Sequence, residues 1–252
     1  MTLIVGIVCS DGVVIAADSA TSDTESGTKQ PTEKIERIGN HPILYGGSGD
    51  VGLLQKLAEA LKGLTTKTPL KRIRQDIKKL VVPELKESIA LHVPYPRQIF
   101  HEPPPATLLL VGVTDRHPWI LEIEKDGRDT FYGEDLGNFA AIGSGKSFAQ
   151  AIFRPHLKTP RDLNLGKTFA YRIIDDSIEL SVMGLCHPVN IFTISLDGTI
   201  VKIDAGEMEG VKTQCELWRS LEREAVGKIL APKTVEEQPS IPTPETSPGT
   251  QI

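Results

Sequence analysis

The chain has 252 residues, which at roughly 150 residues per domain leaves room for one large domain or two small ones. Hydrophobic residues make up 39% and charged residues 24%, enough apolar content for a sizeable core and too much for overall disorder. A formal net charge of -5 argues against the basic face that nucleic-acid binding requires.

Cys9, Cys186 and Cys215 are far apart, with no CxxC pair and no histidine at metal-ligand spacing, so neither a disulfide framework, a metal nor any other cofactor is expected. The apolar runs Leu3 to Cys9 and Ala106 to Val113 fall far short of the ~18 to 20 residues that cross a bilayer. No basic segment precedes the first of them, so no secretory signal is expected and the compartment predicted is the cytoplasm.

In chain order, TLIVGIVC, SDG and VVIAADS read as a β-hairpin, two β-branched runs around a turn. Two registers are open. A three-residue loop with Gly12 left-handed pairs Ile4 with Asp18 and puts Asp18 on the face of Thr2; a two-residue Asp-Gly turn pairs Val5 with Asp18 and turns it away. Glu36 to Gly47 reads as two short strands broken at Gly39 to Pro42, and Leu53, Leu57, Leu61 and Leu64 follow at helical spacing after Asp50, an N-cap. A second helix, Ile73 to Ile89, is expected to break or bend at Pro83.

The prolines between residues 93 and 106 predict a long extended loop. TLLLVGVT, PWILEIEKDG, DTFYG and NFAAIG then read as strands, followed by helices at Ser147 to Phe153 and Leu165 to Leu180, with Asp175 and Asp176 as helix-surface acids. A hairpin around Asp197-Gly198 and a last helix from about Met208 to Leu230 complete the folded part, and residues 231–252, rich in Pro, Ser and Thr, read as a disordered tail. Strand runs alternating with helix pairs imply a layered α+β or αββα architecture. The domain expected is 2–230, with 93–106 as an inserted loop and 206–230 as a helical extension.

Thr2 draws attention because removal of Met1 would leave a hydroxyl and an α-amine on adjacent carbons, a nucleophile and a base in one residue. An α-amine titrates near ~7.7 to 8.0, so it can accept the hydroxyl proton at neutral pH without special tuning. Asp18 ends an apolar run and needs a partner, which Lys34 can supply. AIGSGKS ends like a phosphate-binding loop, but that motif needs glycine where Ala140 stands. The six histidines are scattered, several beside proline, and read as loop or surface residues.

Thr2 followed by LIVGIVCSDGVVIAADS, then Lys34, YGGSGD at Tyr45 to Asp50 and IGSG at Ile142 to Gly145, closely resembles the proteasome β-subunit and HslV family of N-terminal nucleophile hydrolases. The likeness covers about residues 2 to 63 and 106 to 205, and within the family it is nearest the bacterial proteasome-like peptidases. It implies a four-layer αββα sandwich and a threonine-type peptidase that hydrolyses peptide bonds of unfolded polypeptides inside a homo-oligomeric ring, stacked as a double ring. An AAA+ ATPase unfoldase is an open partner.

By residue, the resemblance implies Thr2 as nucleophile, Lys34 as the cation that activates it and Asp18 as the group that orients Lys34. Gly46, or next Gly47, supplies the oxyanion amide, and Ser144 stands by the α-amine. The family's Asp, with a Ser three residues later, matches Ser181 and Gly184 here, so that support is altered. The substrate would pair as a strand near Thr21 and Ser22, over a pocket including Thr32, Glu36 and Leu44. Alternatives are a non-catalytic ring or scaffold subunit and a small-molecule amidase of the same fold.

Overall fold

The computed structural model describes residues 2–22, 29–65, 69–92, 106–133, 137–180 and 184–230. The chain divides into two compact units, up to Cys215 and from Glu216 onward. The second, so far as it is described, is the distal half of one helix.

The first unit begins with β1 (Leu3–Cys9) and β2 (Gly12–Ala17). They read as continuous apolar runs rather than alternating ones because both faces of their sheet are covered. β3 (Ala20–Ser22) and β4 (Lys29–Pro31) form a separate two-stranded ribbon, and β5 (Ile35–Arg37) and β6 (Ile43–Gly49) lead into α1 (Val51–Leu61). Asp50 caps α1, its carboxylate accepting the Leu53 N–H, as its position predicts. α2 (Leu70–His92) continues through Pro83, so of the expected break or bend the break does not occur. A proline costs the helix one N–H and crowds the preceding turn, but Ile77, Val81 and Leu85, buried on either side of it, hold the axis against the sheet.

β7 (Ala106–Thr114), β8 (His117–Ile123), β9 (Asp129–Tyr132), β10 (Phe139–Gly143), α3 (Lys146–Phe153), α4 (Leu163–Glu179), β11 (Asn190–Ser195), β12 (Ile200–Lys202) and α5 (Ala205–Leu230) follow. Two antiparallel five-stranded sheets result, ordered β10-β1-β2-β11-β12 and β5-β6-β7-β8-β9. Between them lie Ile4, Val13, Ile15 and Ala17 of one sheet and Ile35, Leu44, Leu109, Val111 and Ile120 of the other. α1 and α2 cover the outer face of the second sheet with Leu53, Leu57, Leu61, Ile73 and Ile77. α3 and α4 cover the first. The order helices, sheet, sheet, helices is the four-layer αββα sandwich expected from the element order and the resemblance.

The first hairpin takes neither expected register. Cys9 faces Gly12 across a Ser10-Asp11 turn, and Ile4 faces Ala17. Gly12 serves not the turn but the sheet: a Cβ there would sit 2.2 Å from the Ile194 carbonyl oxygen of β11. The turn is tied down from outside, Asp11 accepting the Leu163 N–H at the start of α4. His41, read as a loop or surface residue, does lie in the loop between β5 and β6 but is buried there, with Nε2 3.0 Å from the Leu64 carbonyl. Asp175, expected on a helix surface, is also buried and lies 3.3 Å from His187 Nε2.

Candidate active site

The site gathers at the start of β1. Because β2 ends at Ala17, Asp18 is released from the alternation of the ladder, and the unexpected register does not turn its carboxylate away. Its N–H still donates to the Leu3 carbonyl at 3.2 Å, but the return bond goes to the side chain: the Leu3 N–H donates to Asp18 Oδ1 at 2.9 Å. Lys34 Nζ donates to the same oxygen at 2.8 Å. Asp18 is fully buried and the Lys34 side chain is 8% exposed. Burial pushes the Lys34 ammonium below its ordinary value, while Asp18 pulls it back up by charge and hydrogen bond.

Thr2 is clasped from the other side. Its N–H donates to Ser144 Oγ at 3.3 Å, and the Ser144 hydroxyl donates to the Thr2 carbonyl, also at 3.3 Å. This contact requires glycine at 143, which has φ +95°; a Cβ there would lie 2.0 Å from the Thr2 carbonyl oxygen and 3.3 Å from Ser48 Oγ. The end of β6 and the turn after β10 therefore meet at Thr2.

Among the described residues, β6 is paired on both sides only to Gly46, opposite Ile35; Gly47 to Gly49 keep β7 alone. The Val113 N–H bonds the Pro42 carbonyl, and the Ile38 N–H bonds the Ile43 carbonyl. By alternation, Gly46 turns its main-chain groups to Leu109 of β7, whereas Gly47 turns its own to the edge where β5 ends.

A proteasome subunit profile matches residues 2–185. The chain belongs to the proteasome subunit family. Among relatives, proteasome subunit beta 2 of Pyrococcus furiosus is 28% identical over 200 residues, covering 78% of this chain and 88% of that one. Proteasome subunit beta 2 of Pyrococcus abyssi is 29% identical over 181 residues, covering 72% and 81%. Solved structures with the same fold include Anbu from Yersinia bercovieri, described as an ancestral beta-subunit, at TM-score 0.68 and 16% identity over 95% of this chain and 99% of that one. A Gly-1 mutant of Anbu from Hyphomicrobium sp. strain MC1 gives TM-score 0.70 at 15% identity over 90% and 97%. At such identities these structures speak for the fold. Among the described residues no helix is long and apolar enough to cross a membrane.

On this proteasome-family fold Thr2, Asp18, Lys34 and Ser144 come together, with Gly46 packed on Ile4, two residues along from Thr2: a Cβ on Gly46 would lie 2.7 Å from Ile4 Cδ1. Thr21 and Ser22 lie on β3, whose second edge is unpaired among the described residues. Thr32 follows β4 and is exposed, its N–H bonded to the Ser19 carbonyl at 2.9 Å. Two expected pocket residues are not brought to the site. Leu44 is 2% exposed and sealed into the inter-sheet core. Glu36, directly opposite Tyr45, accepts the Tyr45 hydroxyl at 2.6 Å on the helix-facing side of the sheet. One residue of strand separates them from the parity a shared pocket needs. Ser181 lies outside the described residues.

Sequence reading missed Ser19 and Asn190. The Ser19 N–H donates to the Cys186 carbonyl at 3.0 Å, its hydroxyl donates to the Pro188 carbonyl, and Asn190 Nδ2 donates to Ser19 Oγ at 2.7 Å. These bonds fasten the residue after Asp18 to the segment leading into β11. No local pattern signals them, since the partners come from opposite ends of the chain.

Proposed function

We propose that this chain is a threonine-type N-terminal nucleophile peptidase that cleaves peptide bonds of unfolded polypeptides once removal of Met1 frees Thr2. The observation that carries the proposal is the convergence of Thr2, Asp18, Lys34 and Ser144 from four separate segments onto the start of β1. In the chain as encoded, Thr2 nitrogen is an amide and cannot act as a base; cleavage after Met1 turns the same atom into an amine.

The freed amine takes the proton of Thr2 Oγ, directly or through water, as Oγ attacks the scissile carbonyl carbon. The Lys34 ammonium, held by Asp18, favours the developing alkoxide, and burial of its side chain strengthens that effect. We assign the oxyanion to a main-chain amide at the open end of β6, Gly47 ahead of Gly46, because Gly46 is committed to β7. Collapse of the tetrahedral intermediate breaks the C–N bond, and the α-ammonium returns its proton to the leaving amine. An ester of Thr2 remains, which water hydrolyses with the α-amine again as base. Ser144 holds the amine and relays its proton. Ser181 is included as a support on family likeness alone.

The edges of β3 and of Gly47–Gly49 that are unpaired among the described residues suit an extended substrate that adds as a strand near Thr21 and Ser22, with Thr32 beside it. We assign the peptidase domain to residues 2–230, with 93–106 as an insertion, 206–230 as an extension and 231–252 as a tail. By likeness to proteasome subunits we further propose a homo-oligomeric ring stacked in pairs, in the cytoplasm, open to an AAA+ unfoldase.

The test is intact mass of the purified protein combined with labelling by a threonine-directed electrophile. Loss of Met1 and a single adduct on Thr2, abolished by Thr2→Ala without loss of assembly, is the expected result. Retained Met1 would leave a non-catalytic ring or scaffold subunit. A reactive monomer would leave a small-molecule amidase.

A further inference from the structure

The turn from β10 into α3 carries a lysine that the reaction above does not use. Lys146 is the first residue of α3, after an N-cap glycine that offers no side-chain cap, and no acidic residue stands in the first turn. A cation is disfavoured at a helix N-terminus, so the helix does not account for it. Its ammonium pairs with Glu122 of β8.

Glu122 is a carboxylate 3% exposed on an otherwise apolar strand end, HPWILEI. It also accepts the Tyr132 hydroxyl at 3.0 Å. Burial and the neighbouring Glu122 charge push the Tyr132 phenol up, which keeps it a donor. A buried carboxylate costs more than a leucine would at that position, even when well paired. Packing therefore gives no reason for it, whereas anchoring Lys146 does.

The other flank of the same turn is pressed on the nucleophile. Gly143 leaves no room for a Cβ against the Thr2 carbonyl, and a Cβ on Gly145 would lie 3.0 to 3.2 Å from the Leu3 side chain. Ser144, between them, makes both bonds to Thr2. Four consecutive residues are thus held between residues 2–3 on one side and Glu122 on the other.

We propose that Lys146, acting through Glu122, is a positioning residue that fixes the Gly143–Lys146 turn so that Ser144 Oγ stays on the Thr2 nitrogen. The proposal rests on Thr2 as nucleophile, and two readouts separate the two ideas. In full-length protein with Met1 removed, Lys146→Met is expected to lower kcat and the rate of electrophile labelling by about tenfold or more, as a small displacement of reacting groups does. KM should stay within about twofold. Lys146→Arg should restore most of the rate, and Glu122→Gln, which keeps shape but drops charge, should behave like Lys146→Met.

Amide hydrogen exchange is read in the same proteins. Loss of protection confined to residues 143–146 in Lys146→Met supports the positioning even if the parent is inert, a result that would overturn the nucleophile and leave the anchor standing. A reactive parent with equal rates and equal exchange in Lys146→Met overturns the proposal.

Discussion

Replacing Gly143 by alanine tests the closest contact of the site. A Cβ there would stand 2.0 Å from the Thr2 carbonyl oxygen and 2.7 Å from its carbon, where nothing under 3.0 Å is tolerated, so backbone has to yield by about 1 Å. Two costs add. The left-handed φ of +95° costs a residue with a Cβ about 1–3 kcal/mol, and forcing a methyl into filled space costs about 1–3 kcal/mol more. The sum, roughly 2–6 kcal/mol, is a large share of the ~5–15 kcal/mol that holds a domain together. At roughly 2–4 °C per kcal/mol for a domain of this size, the melting temperature should fall by about 4–24 °C.

Gly137→Ala is the control, because Gly137 has φ +94° and, among the described residues, nothing within 4 Å of its Cβ position; it carries the conformational cost without the collision. Thermal melts of parent, Gly143→Ala and Gly137→Ala give the difference. Peptidase rate is then measured well below all three transitions, where a 1 Å shift of Thr2 should cost about a hundredfold in Gly143→Ala and little in Gly137→Ala. Equal melting and equal rates in the two variants would refute the reasoning.

Asp18→Asn keeps an acceptor for the Leu3 N–H but removes the charge beside Lys34, and should cost about 1–3 kcal/mol at pH 7 by denaturant midpoint. Since Lys34 sits below its ordinary 10.5, the unfolded chain holds the extra proton between the folded value and 10.5, and this group makes stability rise with pH in that window. In Asp18→Asn, Lys34 falls further and the rise starts at lower pH; a start at higher pH in urea titrations contradicts the assignment. Burial chiefly pushes the Cys9 thiol up to about 12, so at pH 8 mass spectrometry should find Cys9 unmodified by iodoacetamide in the folded protein while half-buried Cys186 reacts. Equal labelling would show the first hairpin to be open. Gly46→Ala meets the Lys34 carbonyl at 2.9 Å, whereas Gly47→Ala meets only the movable end of Leu54. Gly46→Ala should therefore lose more stability, and the reverse order in thermal melts would contradict the packing around Lys34.

The four layers were legible because their signals are long and local: β-branched runs for β1 and β2, leucines at helical spacing behind Asp50 for α1. β3 and β4 were not, since ATS and KQP are too short and polar to show a period. The hairpin register escaped because Gly12 was read as a turn residue when its freedom is spent on close approach to Ile194, a contact between strands far apart in sequence. The pairing of Asp18 with Lys34 was legible in the residues, a carboxylate ending an apolar run and a lysine to partner it, and the contact of Ser144 with Thr2 through the family resemblance. Glu36 and Leu44 were misplaced because residues on neighbouring strands share a face only if the register allows it, and the pairing of Glu36 with Tyr45 rather than Leu44 is set between strands, not along one. Asp175 looks like a surface residue until the segment that covers it is in place, and His41 is legible as a loop residue, though its burial depends on a partner, the Leu64 carbonyl, far along the chain.

One oxygen, Asp18 Oδ1, serves two masters: it closes the ladder at Leu3 and holds Lys34. An aspartate at this position is therefore poor testimony of catalysis, because a subunit that had abandoned chemistry would still need an acceptor for the Leu3 amide. The informative witnesses are the groups the ladder does not require, the Lys34 ammonium and a free nitrogen on Thr2. A survey of related chains that counts aspartates would overcall enzymes; one that counts lysines together with mature N-termini would not.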